Sequence, residues 1–159
     1  MIRTFMIAAA SAAVLTLSPT AFAQQPSQYG NAVEAKAMLL KAVAAVKADK
    51  AKALDMISKG EGGFLDRDLY PFCANVSDGK IYPFPNSNAK ATFGTDARNL
   101  KDPTGKEFGK ELFAAGQKPE GQITEVSYMF SKPNDPNPVP KVSFVASARD
   151  IYCGAGYYK

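Results

Sequence analysis

The side chains available for chemistry are few in kind. The 159-residue chain has no His, no Trp and two Cys, so any reactive group must come from Tyr, Lys, Asp or Glu. Without His there is no Ser-His-Asp triad, Cys-His dyad, His-ligated zinc or His-held haem. Two Cys cannot complete a tetrahedral thiolate zinc site. Neither a Gly-x-Ser-x-Gly elbow nor a phosphate loop occurs. Glu61, Glu107, Glu111, Glu120 and Glu125 show no recognisable pairing; a glycosidase needs two carboxylates facing each other across a cleft, which spacing alone does not show. Asp66 and Asp68 flank Arg67, where they can cap, pair with the guanidinium or hold a cation, but no EF-hand spacing surrounds them. We therefore expect no catalytic residue, no metal and no cofactor.

What remains is binding. Tyr70 and Phe72 share a face of one extended segment, Tyr128 and Phe130 share a face of another, and Phe144 lies on a third. Such rings build a core, and they also build the wall of a mostly apolar ligand site in which tyrosine hydroxyls supply the few polar groups. Lys101 and Lys141 are cations that can meet a carboxylate ligand or remain solvated.

The elements that must position these groups follow from periodicity. Asn31 with Glu34 three residues on reads as a capping box. Leu39, Val43 and Val46 then recur at helical spacing to about Ala48. Asp49 caps a second, short helix from Lys50 to Ser58, stopped by Gly60, Gly62 and Gly63. The period changes at Asp68. Leu69 to Val76 reads as a strand, Asp78-Gly79 as a hairpin turn, and Ile81-Tyr82 as the start of the return strand. Residues 83–103 are irregular. Thr104 can cap a helix to about Ala115, closed by Gly116. Ile123–Phe130 is a strand, and residues 133–140, with four Pro, read as an exposed connection. Lys141–Ala148 and Asp150–Tyr158 are strands too close in sequence for a crossover, hence antiparallel neighbours. Helices outside a run of strands predict an α+β fold with a five-stranded antiparallel sheet.

Residues 1–23 read as an export signal: Arg3, an apolar run from Met6 to Leu17, then Ala21-Phe22-Ala23. The apolar run is short for a membrane span. Cleavage after Ala23 removes 23 of 159 residues and one Arg, taking the formal charge from +4 to +3. Residues 24–29 are then a flexible leader and 30–159 a single domain, periplasmic or secreted, with no insertion in the membrane after cleavage. Retention of the segment as an anchor is the alternative. The lysines are scattered rather than clustered with aromatics, which argues against nucleic acid.

Taken in order, the segment Phe64-Leu65-Asp66-Arg67-Asp68-Leu69-Tyr70-Pro71-Phe72, the Asp78-Gly79 turn, Leu100-Lys101-Asp102-Pro103-Thr104-Gly105-Lys106, Tyr128-Met129-Phe130 and the ending Ile151-Tyr152-Cys153-Gly154-Ala155-Gly156-Tyr157-Tyr158 resemble the single Cache domain. The resemblance spans about residues 30–158. It implies a PAS-like fold: a five-stranded antiparallel sheet, a long N-terminal helix on one face and a ligand pocket on the other. It also implies an exported, non-catalytic sensor for a small metabolite such as an organic acid. Such a sensor would act in signal transduction through a partner such as a membrane receptor or kinase. The alternative is a periplasmic scaffold or interaction domain with the same fold and a filled pocket. Lys141 falls where the family often has a Lys. Phe84 falls where many members carry a His, and would close the pocket from the irregular segment. With the first and last strands neighbours in such a sheet, Cys73 and Cys153 are expected to form a disulfide in an oxidising compartment; buried free thiols or a redox pair are the other readings. N-terminal sequencing of the exported protein is expected to begin at Gln24; a start at Met1 would overturn the cleavage expectation.

Overall fold

The computed structural model describes residues 27–159. The signal segment 1–23 and residues 24–26 of the leader lie outside the described residues.

Helix α1 (Ala32–Ala48) begins as its sequence dictates. The Asn31 side chain accepts from the backbone of Val33 and Glu34, and the Glu34 carboxylate accepts from the Asn31 N–H at 3.0 Å, completing the capping box. Ala35, Met38, Leu39, Ala42 and Val46 form its buried stripe, with Val43 half-buried beside them. Asp49 both ends α1 and caps α2 (Lys50–Lys59) by accepting from Lys52 N–H. Gly60 stops α2 at φ 70°, a left-handed conformation that costs glycine little.

The sheet comprises β1 (Pro71–Asn75), β2 (Thr124–Ser131), β3 (Pro138–Ala148) and β4 (Ile151–Tyr158), in the order β1-β4-β3-β2 and antiparallel throughout. It therefore has four strands where the sequence predicts five. The return segment makes one bridge, Ile81 to Ala74, and one bond from Tyr82 N–H to the Cys73 carbonyl at 3.0 Å. Pro83 and Pro85 follow at once, and a residue without an N–H cannot extend a ladder.

Two further boundaries differ from expectation. Helix α3 (Phe108–Gly116) starts four residues after Thr104 and has no side-chain cap. Thr104 is instead engaged by Asp102, whose Oδ1 accepts from the Thr104 hydroxyl at 2.5 Å and from the backbone of Thr104 and Lys106. Asp102 Oδ2 accepts from Met129 N–H at 3.0 Å, fastening this turn to β2. These bonds, the Thr104 hydroxyl foremost, hold the Asp102 carboxyl down at about 2. The proline-rich segment is a connection only in part, because β3 already begins at Pro138.

The two faces of the sheet are covered differently. Helix α1 packs across β3 and β4 on one face. Helix α3 and residues 81–100, which include short 3-10 turns at Ser87–Thr92 and Ala97–Asn99, cover the other. Cys73 pairs directly with Cys153 across β1 and β4, and the two form a disulfide. The bridge spans 80 residues of sequence, and closing a loop of that length in the unfolded chain is worth up to ~4.5 kcal/mol in the chain-entropy model. The double substitution Cys73→Ala, Cys153→Ala is expected to lower unfolding stability by about 2–4 kcal/mol in urea titrations. A loss under about 1 kcal/mol would show that the buried sheet contacts alone hold these strands.

Candidate ligand site

The register of three strands builds the site. Tyr128 of β2 faces Lys141 of β3, which faces Tyr158 of β4, so the three side chains share the sheet face opposite α1. Phe72 and Ala74 of β1 and Tyr152 of β4 lie on the same face. Above them stand Ile81, Phe84 and Ala97 from the irregular segment and Phe108 and Leu112 from α3. With these, Tyr70, Phe72, Ala74, Tyr128, Phe130, Lys141 and Tyr152 line a cavity of about 30 Å3, and Tyr158 stands beside Lys141 outside its lining. Aromatic stacking shapes the wall. Tyr70 lies parallel to Phe84 at 5.5 Å, Phe108 lies parallel to Tyr128 at 4.2 Å, and Phe130 meets both of the latter edge-on.

Lys141 is the unusual member. It is 1% exposed, yet no carboxylate pairs with it among the described residues. Its Nζ donates to the Tyr70 hydroxyl at 2.9 Å and to the Tyr158 hydroxyl at 3.3 Å. It also lies 4.2 Å from the Tyr70 ring centre, 4.7 Å from that of Tyr158 and 5.3 Å from that of Phe130. Aromatic faces attract a desolvated cation, but they do not neutralise it.

The protons around Lys141 can be accounted for. Asn86 Nδ2 donates to the Tyr70 hydroxyl at 2.8 Å and to the Ser131 carbonyl at 3.0 Å. The Tyr158 hydroxyl donates to that same carbonyl at 2.7 Å, which leaves Tyr70 as the donor in the 3.1 Å contact between the two hydroxyls. Each tyrosine thus spends its one proton and accepts from the ammonium. Two of the three ammonium protons are used, and the third meets no protein acceptor among the described residues. Burial, reinforced by the neighbouring Tyr70, pushes the Tyr158 hydroxyl far above the ordinary tyrosine range, so it does not serve as an anionic partner. Burial raises Tyr128 in the same way, and its hydroxyl is satisfied by Ser143 Oγ at 2.9 Å.

Of the candidate residues, Tyr70, Phe72, Phe84, Tyr128, Phe130 and Lys141 line the cavity. Two do not. Lys101 stands at the surface and pairs with Glu107 at 3.0 Å, since its place in the Asp102 turn turns it to solvent. Phe144 stacks with Tyr157 at 6.3 Å on the α1 side of the sheet, because its odd offset from Lys141 puts it on the opposite face. Asp66 pairs with Arg67 at 2.9 Å, and Asp68 accepts from Gly30 N–H at 2.7 Å, so these acids fasten the N-terminal approach. Among the described residues, no group of His, Cys, Asp and Glu suited to hold a metal is found.

Sequence reasoning missed Tyr158, Asn86, Tyr152 and Phe108. Alternation along β4 puts Tyr152 and Tyr158 on one face and was a usable signal; their side of the sheet was not. Asn86, in a turn-rich stretch, carried no sign that it would be 1% exposed.

The domain is thus a four-stranded antiparallel sheet with α1 on one face and, on the other, an aromatic cavity lined by the buried Lys141 ammonium. The chain matches the Single Cache domain 2 family over residues 31–158 and belongs to it. Its fold is similar to that of a methyl-accepting chemotaxis protein from Vibrio parahaemolyticus RIMD 2210633, at 23% identity, with 79% of this chain and 86% of that chain covered and a TM-score of 0.61. It is similar to a periplasmic sensor domain of a chemotaxis protein at 21% identity, covering 79% and 88% of the two chains, with a TM-score of 0.59. A third similar structure is a Cache chemosensory domain described for carboxylic acid recognition, at 21% identity and 79% and 86% coverage, with a TM-score of 0.58. No curated protein sequence matches the chain.

The hydrogen bonding predicts a trade between binding and stability. Removing the ammonium orphans no donor, because both hydroxyls keep their other bonds. Lys141→Met is therefore expected to leave the ligand-free domain as stable or to raise its melting temperature by a few degrees, since an unpaired buried charge costs more than an apolar chain of similar volume. A fall of more than about 5 °C, on the order of 1 kcal/mol for a domain of this size, would show that the cation holds the fold.

Proposed function

We propose that this domain is an exported, non-catalytic sensing module that binds a small organic acid with its carboxylate on Lys141. The observation that carries the reading is the buried ammonium: it lines an apolar cavity, has no anionic protein partner among the described residues and retains one undirected proton. A carboxylate supplies both the missing charge and the missing acceptor, and in a site shielded from water that pairing is strong. Family membership and the likeness to a Cache domain that recognises carboxylic acids support it.

Tyr70 and Tyr158 fix the ammonium and Asn86 fixes Tyr70. Roughly 10–15 Å3 of cavity space holds one water molecule, so the 30 Å3 cavity admits a larger ligand only if its cover moves. That cover is the irregular segment carrying Phe84, Asn86 and Ala97, which has few regular backbone bonds and is suited to move. Ligand binding would then change the state of this segment, and a partner such as a membrane receptor or kinase would read it. Among the described residues no helix is long and apolar enough to cross a membrane. The small volume also favours a second reading, a scaffold of the same fold with a filled pocket.

A thermal-shift screen of residues 24–159 against short organic acids, amino acids and amines separates the two. Binding at 100 times Kd adds about 2.7 kcal/mol of stability. A saturable rise with at least one carboxylate is expected, abolished in Lys141→Met and weakened in Tyr70→Phe. A rise that survives Lys141→Met, or rises with amines alone, would sink the carboxylate reading. No rise with any compound would favour the scaffold.

A further inference from the structure

Three buried side-chain atoms among the described residues find no hydrogen-bond partner: Asp68 Oδ2, Thr124 Oγ1 and the Tyr152 hydroxyl. Of these residues, Tyr152 alone lines the cavity that Lys141 also lines. A buried hydroxyl without a partner is uncommon and unfavourable, so its persistence calls for a cause.

The surroundings of Tyr152 supply no internal answer. The acid that acts on it electrostatically is Asp96, whose carboxylate is committed to the Arg98 guanidinium at 2.6 and 2.9 Å. The ring has nowhere to retreat. It is seated against Gly116, where an added Cβ would come within 2.4 Å of it, and Phe113 meets it edge-on at 6.3 Å. Burial keeps the hydroxyl protonated, hence a donor.

Its position differs from that of the Lys141 cluster. Tyr152 faces Ala74 and Ser147, whereas Tyr158, on the same face of β4, faces Lys141. Six residues of strand separate the two tyrosines, about 20 Å between their Cα atoms at ~3.3 Å per residue. The Tyr128 hydroxyl, from the strand position opposite Lys141, is already satisfied by Ser143 Oγ. The cavity thus has a cationic end and a remote end with one free donor, joined by apolar wall.

We propose that Tyr152 is a second anchor in the site. The bound acid carries, away from its carboxylate, an oxygen acceptor such as a hydroxyl or keto group that takes the Tyr152 proton. This rests on the reading of Lys141 as the carboxylate anchor. It narrows the ligand class from short acids in general to acids with a second polar group at the far end.

The test is titration calorimetry with pentanoate, heptanoate and nonanoate, each against its ω-hydroxy counterpart, so that the oxygen is carried progressively further from the carboxylate. It uses the wild-type domain, Tyr152→Phe and Lys141→Met. At one chain length or more, the oxygenated acid is expected to bind the wild type about tenfold more tightly than its plain counterpart, which corresponds to about 1.4 kcal/mol. Tyr152→Phe keeps the ring in its seat and is expected to erase that preference while leaving the plain acid within about twofold; Lys141→Met is expected to weaken both. Equal affinities in the wild type, or a preference that persists in Tyr152→Phe, would overturn the second anchor and leave the carboxylate reading standing. Failure of every acid to bind the wild type would overturn both.

Discussion

The burial of the Lys141 ammonium is the constraint on which the rest of the site depends. A cation removed from water must be surrounded by oxygen acceptors, aromatic faces or anions. Here the protein supplies the first two and withholds the third among the described residues. That choice explains the neighbours. Tyr70 and Tyr158 each offer a hydroxyl and a ring face to the same ammonium, which Phe, Ser or Asn could not. Asn86 and the Ser131 carbonyl then orient both hydroxyls, so that their lone pairs and not their protons meet the cation. Take away the cation and these bonds still close among themselves, so the hydroxyl network does not depend on Lys141.

The two faces of the sheet are held by different means. On one face, α1 lies across β3 and β4, with the Cys73–Cys153 bridge tying the strands beneath it. These contacts are regular, apolar and covalently reinforced. On the other face, the cover is a proline-interrupted segment held by two isolated bridges, Ile81 to Ala74 and Asp96 to Lys80, by two 3-10 turns and by scattered side-chain bonds. Asn86 belongs to that cover and bonds directly to the Tyr70 hydroxyl in the ammonium cluster. Lys141 is therefore two hydrogen bonds from this cover, through the Tyr70 hydroxyl to Asn86.

Much of this was legible in the residues. The Asn31–Glu34 capping box, Asp49 between two helices, the Gly60 stop and the alternating aromatic strands are local signals, and each is realised. Resemblance to the Cache domain placed Cys73 beside Cys153 and pointed to Lys141, and the fold brings six of the eight candidate ligand residues to one cavity. The errors have physical causes. Ile81-Tyr82 has a strand's composition, but the prolines after it stop the ladder. Thr104 has a cap's composition, but Asp102 competes successfully for its hydroxyl. Phe144 was assigned to the pocket although the same alternation that places Lys141 there sends it to the other side.

By itself, then, the sequence determined the chemistry available: no imidazole, two thiols, and tyrosines, phenylalanines and lysines as the binding repertoire, with helix ends and strand periods set by local rules. The tertiary structure decided which of those groups meet. Lys141 and Tyr70 are 71 residues apart and Tyr70 and Tyr158 are 88 apart, so their contact depends on strand register, which no local pattern encodes. The same register leaves the Tyr152 hydroxyl in the cavity wall without a partner. Whether a lysine is a solvated strand end or a buried, unpaired charge is a property of what covers it, and the cover is assembled from distant parts of the chain.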